Sequence, residues 1–254
     1  MARVLCIANQ KGGVAKTTTA AVLAAGLNVK GYKTLLVDTD PQADLSFSLG
    51  AKRKGNTIKE LLEGTCTAQD TIQHTQSGDI IASKGELAGA DKWLKSPFIL
   101  REAIKPLKKK YDYIILDTPR ALAMLTINSL TASDEVIITG TADAFVLNAI
   151  MELNDTIEET KAHANPKLKI AGILLCRQDS NTNISKELEG ILRTQAEKKL
   201  HTKVFKTVIR QGKHIREAQL LQQNLFEYAP NSNPAKDYMA FICEYLETHQ
   251  SKLF

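Results

Sequence analysis

The sequence predicts an α/β domain, a doubly wound, mostly parallel sheet with helices on both faces. Three observations lead there. Short runs rich in Val, Ile and Leu recur along the 254 residues. They are apolar on consecutive positions, as in strands buried on both faces of a parallel sheet. Segments with helical spacing separate them, and such strand–helix alternation reads as a doubly wound fold.

Strands are expected at "RVLCIAN" (3–9), "KTLLVDTD" (33–40), "YDYIILDTP" (111–119), "DEVIITG" (134–140), "KIAGILLC" (169–176) and "KVFKTVI" (203–209). Helical spacing marks 17–29, 97–109, 145–164, 184–200 and about 234–248. No Pro/Gly/Ser linker, repeat or low-complexity tract interrupts the pattern, so residues 1–254 read as one domain, near the upper size of a single core.

Hydrophobic residues at 43% and charged residues at 24% are ordinary for a globular chain. The longest apolar run, 20–27, is far short of the ~20 residues of a membrane span. No secretory leader pattern is present, so a cytoplasmic location is expected. Cys6, Cys66, Cys176 and Cys243 are scattered without a C-x-x-C pair and read as reduced thiols. The five histidines show no metal spacing.

Charge is unevenly placed. Residues 184–216 carry nine Lys/Arg against three acids, a local excess larger than the +5 of the whole chain. Lys198, Lys199, Lys203, Lys206, Arg210, Lys213 and Arg216 form a candidate surface for a polyanion, alongside the blander reading of solvated surface lysines.

"IANQKGGVAKTTTA" (7–20) follows the first strand and opens the first helix. A strict phosphate loop wants Gly, four residues, Gly, Lys, Ser/Thr. Lys16 and Thr17 comply, but Gln10 and Ala15 stand at the outer glycine positions. Gly12 and Gly13 still allow the backbone to approach a phosphate, Lys16 can reach β/γ oxygens, and the Thr17 hydroxyl can ligate Mg²⁺. An ordinary Gly-Gly turn before an Ala-rich helix is the competing reading. The acids argue against it. Asp38 and Asp40 close the second strand and Asp117 closes the 113–117 strand, so three carboxylates meet the loop at the carboxyl edge, where open α/β sheets bind ligands. Mg²⁺ asks for one or two such hard oxygens and keeps its waters.

These stretches, "KGGVAKTT" with Lys11, "VDTDPQAD" (37–44) and "YIILDTP" (113–119), resemble the ParA/MinD family of deviant Walker-A ATPases. "GILLCRQDSNTNIS" (172–185) is similar to the family's base-pocket segment, and "TVIRQGKHIREA" (207–218) to its T-x-I-P-R segment. The family accepts Gln at position 10. The resemblance covers nearly the whole chain and implies a P-loop NTPase fold with ATP and Mg²⁺ as cofactors. It implies that Lys11 is the signature lysine reaching phosphates of the other subunit in an ATP-dependent homodimer. Gly12, Gly13, Val14, Ala15, Lys16, Thr17 and Thr18 would hold the nucleotide, with Arg177 and Arg210 in the two base-side segments. Thr17, Asp40 and Asp117 would serve the metal, and Lys11, Lys16 and Asp40 the hydrolysis. For the partition branch it further implies non-specific DNA binding near the nucleoid, and stimulation by a ParB-type centromere-binding partner.

Four departures stand out: Ala15 for Gly, Arg120 for Pro, Arg210 for Pro, and Asp44 for Asn. If position 15 needs φ > 0, alanine there costs about 1–2 kcal/mol; weaker ATP binding is then expected. With the first strand starting near residue 3, no operator-reading domain is expected ahead of the loop. A MinD-like membrane switch is an alternative. However, "PAKDYMAFICEYLETHQSKLF" carries Asp237, Glu244 and Glu247, and its apolar positions read as a stripe that docks on the core. The other alternative is a metabolic member of the fold; Cys6, Cys176 and Cys243 lie in expected strands or a helix, which disfavours an iron–sulfur cluster.

Overall fold

The computed structural model describes residues 1–143, 146–178 and 183–250. Eight strands form one sheet: β1 (Arg3–Ala8), β2 (Thr34–Asp38), β3 (Ile72–Thr75), β4 (Gly78–Ile81), β5 (Tyr113–Asp117), β6 (Glu135–Gly140), β7 (Lys169–Gln178) and β8 (Val204–Arg210). Their order is β3-β4-β2-β5-β1-β6-β7-β8, parallel throughout except for the β3–β4 hairpin at one edge. Among the described residues twelve α-helices surround it: α1 (Lys16–Val29), α2 (Asp44–Ser48), α3 (Ile58–Glu63), α4 (Ala68–Thr71), α5 (Ala90–Trp93), α6 (Ile99–Ile104), α7 (Met124–Ala132), α8 (Val146–His163), α9 (Asn183–Leu200), α10 (Lys213–Leu220), α11 (Leu225–Tyr228) and α12 (Asn233–Gln250).

All six expected strands are present, because continuous apolar runs mark double-sided burial. On β1, Leu5 and Ile7 pack with Leu23 and Leu27 of α1 and with Tyr238 and Phe241 of α12. Val4 faces the opposite layer with Ile58, Leu100 and Ile104, and Cys6 and Ala8 pack beside Ile150 and Leu153 of α8. The expected 97–109 helix is shorter: α6 stops at Ile104 and a 3-10 turn continues over Lys105–Lys109, with Pro106 breaking the α pattern. The expected start of α8 at residue 145 lies outside the described residues.

α12 resolves the reading of its stripe. Tyr238, Phe241, Ile242 and Tyr245 are fully buried, and Phe241 meets Phe205 of β8 edge-on at 4.9 Å between ring centroids. Gly26 of α1 lets α12 come close, since a methyl group there would fall 2.2 Å from Ile242 Cδ1. The acids of α12 have a structural use. Glu244 accepts the backbone N–H groups of Lys206 (2.7 Å) and Thr207 (2.9 Å), and Asp237 that of Arg210 (3.0 Å). These are donors on the open edge of β8, which would otherwise template another strand. Among the described residues no helix is long and apolar enough to cross a membrane.

The packing gives a direct test. Phe241→Ala, at a fully buried position, is expected to lower unfolding stability by roughly 3–5 kcal/mol in urea titration; a loss below about 1 kcal/mol would show that α12 is not part of the core.

Candidate functional site

The sheet register places the acids. Asp38 pairs opposite Asp117, and Asp117 opposite Ile7, so β2, β5 and β1 end side by side where the 9–15 loop begins. Asn9 is buried at the exit of β1 and anchors the loop: its Nδ2 donates to the Thr139 carbonyl at 2.5 Å, and its Oδ1 accepts the Lys11 N–H at 2.9 Å. Sequence reasoning passed over Asn9; the signal was a polar residue closing an apolar run just before the glycines.

The loop turns through two left-handed positions, Gly13 (φ 76°) and Ala15 (φ 65°), and then enters α1 at Lys16. Ala15 therefore takes the costly branch of the expectation above. Holding an alanine in that conformation costs about 1–2 kcal/mol.

Lys16 is buried, with relative exposure of 8%. Burial lowers its pKa, while Asp117 and Asp40 oppose the fall. Asp117 is fully buried and neither carboxylate oxygen has a hydrogen-bond partner. Burial raises its pKa well above the usual carboxylate range; nearby Asp38 adds to the rise, and Thr17 and Lys16 counter it. An orphaned buried carboxylate beside a lysine and a threonine hydroxyl is an environment that lacks a cation, and its hard oxygens fit Mg²⁺.

Asp38 and Asp40 do different things. Asp38 Oδ2 accepts the Ser46 N–H (2.9 Å) and hydroxyl (2.6 Å), and Oδ1 accepts the Asp40 N–H at 3.1 Å. It holds the 39–46 turn in place, and burial pushes its pKa up to about 7 against those donors. Asp40 is only partly buried; Gln42 N–H binds its Oδ1 at 2.9 Å. Burial raises its pKa, and Gln42, Lys16 and Arg120 pull it down. Of the two, Asp40 has the accessible carboxylate.

The remaining site residues fall into place around the loop. Lys11 Nζ forms an ion pair with Asp143 Oδ2, which also accepts the Thr141 hydroxyl at 2.5 Å. Arg177, itself at φ 56°, donates Nη1–H to the Gly13 carbonyl at 2.8 Å. Val14 is buried, and Thr18 Oγ1 accepts from Gln219 of α10 at 3.2 Å. Residues 179–182 of the base-side segment lie outside the described residues. Arg210 is committed elsewhere: it grips Asp237 in a two-pronged pair at 2.9 and 2.6 Å.

The basic stretch runs from the end of α9 along β8 to α10. Lys198, Lys199, Lys203 and Lys206 are exposed at the end of α9 and the start of β8. Lys213 and Arg216 are exposed on α10, beyond the far end of β8, about 20 Å along the strand. Arg210, paired with Asp237, is not an available cation of either group.

Geometry thus defines a class: a P-loop protein with its phosphate loop, a buried lysine and strand-end carboxylates on one sheet edge. Comparison with known proteins narrows it. A family described as "AAA domain" matches residues 2–170. The chain is 34% identical to the chromosome partitioning protein ParA of Myxococcus xanthus, over 98% of this chain and 90% of that protein. It is 36% identical to the sporulation initiation inhibitor protein Soj of Bacillus subtilis, over 94% and 96%. Among solved structures it resembles a cobyrinic acid a,c-diamide synthase of Mycobacterium smegmatis with bound ADP and magnesium. There the TM-score is 0.86 at 31% identity, covering 99% of this chain and 97% of that one. The chain belongs to the ParA/MinD family of P-loop ATPases.

Two outcomes follow from the site's strain. Ala15→Gly is expected to tighten ATP binding by up to about tenfold, and to change stability by up to about 1 kcal/mol because relief of the Cβ clash is partly offset by a more flexible unfolded chain; isothermal titration and urea unfolding read the two, and unchanged ATP affinity would contradict the first. For Asp117, a raised native pKa means the folded state binds more protons than the unfolded one as pH rises above the ordinary carboxylate range. Stability of the nucleotide-free protein therefore falls with rising pH. Asp117→Asn should be more stable than wild type at neutral pH, and the gain should shrink as the pH is lowered; a variant no more stable than wild type at pH 7 would contradict this.

Proposed function

We propose that this protein is an ATP-dependent partition ATPase that dimerises on Mg·ATP, binds DNA non-specifically and hydrolyses slowly until a centromere-binding partner stimulates it. The observation that carries this reading is one loop with two lysines in opposite situations. Lys16 is buried toward the carboxylates, whereas Lys11 lies half-exposed at the outer end of the loop, on its own protomer's Asp143. An ion pair that exposed contributes about 0–1 kcal/mol, so a triphosphate of a second protomer can displace it.

Thr17, Asp40 and Asp117 would hold magnesium, which when bound would supply charge neutralisation at the phosphate oxygens. The chain's own groups do the rest. Backbone N–H groups of residues 12–18 and the N-terminus of α1 cradle the phosphate oxygens. Lys16 neutralises β/γ oxygens, and Asp40, the accessible carboxylate, orients the attacking water and accepts its proton. Asp38 keeps Asp40 in position through the 39–46 turn.

For DNA we assign Lys198, Lys199, Lys203 and Lys206 as one contact group and Lys213 and Arg216 as another; Arg210 is left out for its pairing with Asp237. Counterion release from such contacts supplies affinity without sequence preference, and dimerisation doubles the footprint. The expected location is the cytoplasm, at the nucleoid. Likeness to the amide synthase keeps a metabolic reading open, since the same phosphate site serves both; DNA binding discriminates them.

The test compares variants in ATP-dependent DNA binding and dimerisation. Lys16→Ala should lose nucleotide binding, dimer and DNA binding together. Lys11→Ala should bind ATP and stay monomeric, and Asp40→Ala should hold a DNA-bound dimer without hydrolysis. Each phosphate contact removed from the two basic groups should lower the log–log salt slope by about 1; DNA binding indifferent to ATP and to salt would overturn the proposal.

A further inference from the structure

Arg120 is the residue at this site that the family pattern leaves unexplained. It follows Asp117, Thr118 and Pro119 at the end of β5, and its side chain returns to the phosphate loop. A methyl group built on Gly12 would sit 2.6 Å from Arg120 Nη1, 2.7 Å from Cζ and 3.0 Å from Nε. The guanidinium thus lies over Gly12, in the space that a Cβ would take.

The three arginines near the carboxyl edge differ in what they hold. Arg177 donates to the Gly13 carbonyl, and Arg210 is paired with Asp237. Arg120 is exposed, and among the described residues it makes no hydrogen bond or ion pair. Its charge is felt at both Lys16 and Asp40, where it favours the neutral lysine and the ionised carboxylate against larger effects of burial. A cation is therefore set on the phosphate loop at Gly12, and among the described residues no hydrogen bond or ion pair uses its five N–H donors.

We propose that Arg120 is a phosphate-binding residue of this ATPase, its guanidinium donating to terminal-phosphate oxygens of the nucleotide held in the same protomer. The proposal rests on the ATPase reading above and adds a ligand to it. The chemistry suits the position: a planar guanidinium presents paired donors to phosphate oxygens, and an arginine at the transferring group stabilises charge that develops there. The terminal phosphate is the group transferred, where an arginine's charge stabilises most, and the comparison of ATP with ADP below tests that choice.

The test uses the full chain with magnesium present and measures ATP and ADP binding, single-turnover hydrolysis and nucleotide-free melting for wild type, Arg120→Ala and Arg120→Lys. Arg120→Ala is expected to weaken ATP binding roughly tenfold or more while ADP binding changes less than about threefold. Hydrolysis should slow, melting should stay at the wild-type midpoint, and Arg120→Lys should recover part of the ATP preference. Equal effects on ATP and ADP, or none, would overturn the assignment. If Arg120→Ala melts early, the decision passes to Arg120→Lys: a wild-type ATP/ADP ratio and rate there also overturns it. A wild-type chain that binds neither nucleotide removes the ATPase reading itself, whereas one that binds both, with Arg120→Ala indistinguishable from it, removes only the role of Arg120.

Discussion

One electrostatic imbalance organises this molecule. At the carboxyl edge of the sheet, Asp38, Asp40 and Asp117 face a single buried lysine, Lys16, and among the described residues neither oxygen of Asp117 has a hydrogen-bond partner within bonding geometry. A carboxylate can be left in that state only if the surrounding fold over-determines it. Here the parallel register does so, since Asp117 is fixed between Ile7 and Asp38 by pairing on both sides of β5. The edge is held short of positive charge. Backbone amides of the loop, Lys16 and Thr17 stand next to it, arranged for an anion that brings its own cation.

Stability is given up at several points of the same edge. Ala15 sits in the left-handed region, Asp38 and Asp117 are buried acids, and Lys16 is a buried base. None of these helps the fold by itself. Their common location is what gives them meaning, because strain scattered at random would not gather on one rim of one sheet. The opposite edge shows the contrary economy: β8 ends the sheet, and its free N–H groups are covered by Glu244 and Asp237 of α12. Acids in that helix protect an edge, while its apolar face closes the core.

Much of this was legible in the amino-acid sequence. Six strands declared themselves through unbroken Val/Ile/Leu runs, and Asp40 and Asp117 through their place just after such runs. The β3–β4 hairpin did not, since its strands have four residues each and His74 and Gln73 leave β3 half-exposed and polar. Helix α7 was missed for a different reason. Thr126, Asn128, Ser129 and Thr131 are buried yet polar; Ser129 bonds the Leu125 carbonyl and Asn128 ties Ser96 and Leu100. Such a helix shows no apolar stripe. Contacts that define the site's charge were also hidden, because Lys11–Asp143, Gly12–Arg120 and Gly13–Arg177 join residues more than a hundred positions apart. The basic run, adjacent in sequence, is spread over the end of α9, β8 and α10.

If the carboxyl edge is a cradle for a triphosphate and its cation, filling it must relieve the imbalance and stabilise the fold by mass action. The most direct measurement is the unfolding midpoint of the wild-type chain over a series of ATP concentrations, with magnesium or with a chelator. A midpoint that climbs with ATP, and climbs further with magnesium, is the predicted result. A midpoint unmoved by millimolar Mg·ATP would contradict the account at its base.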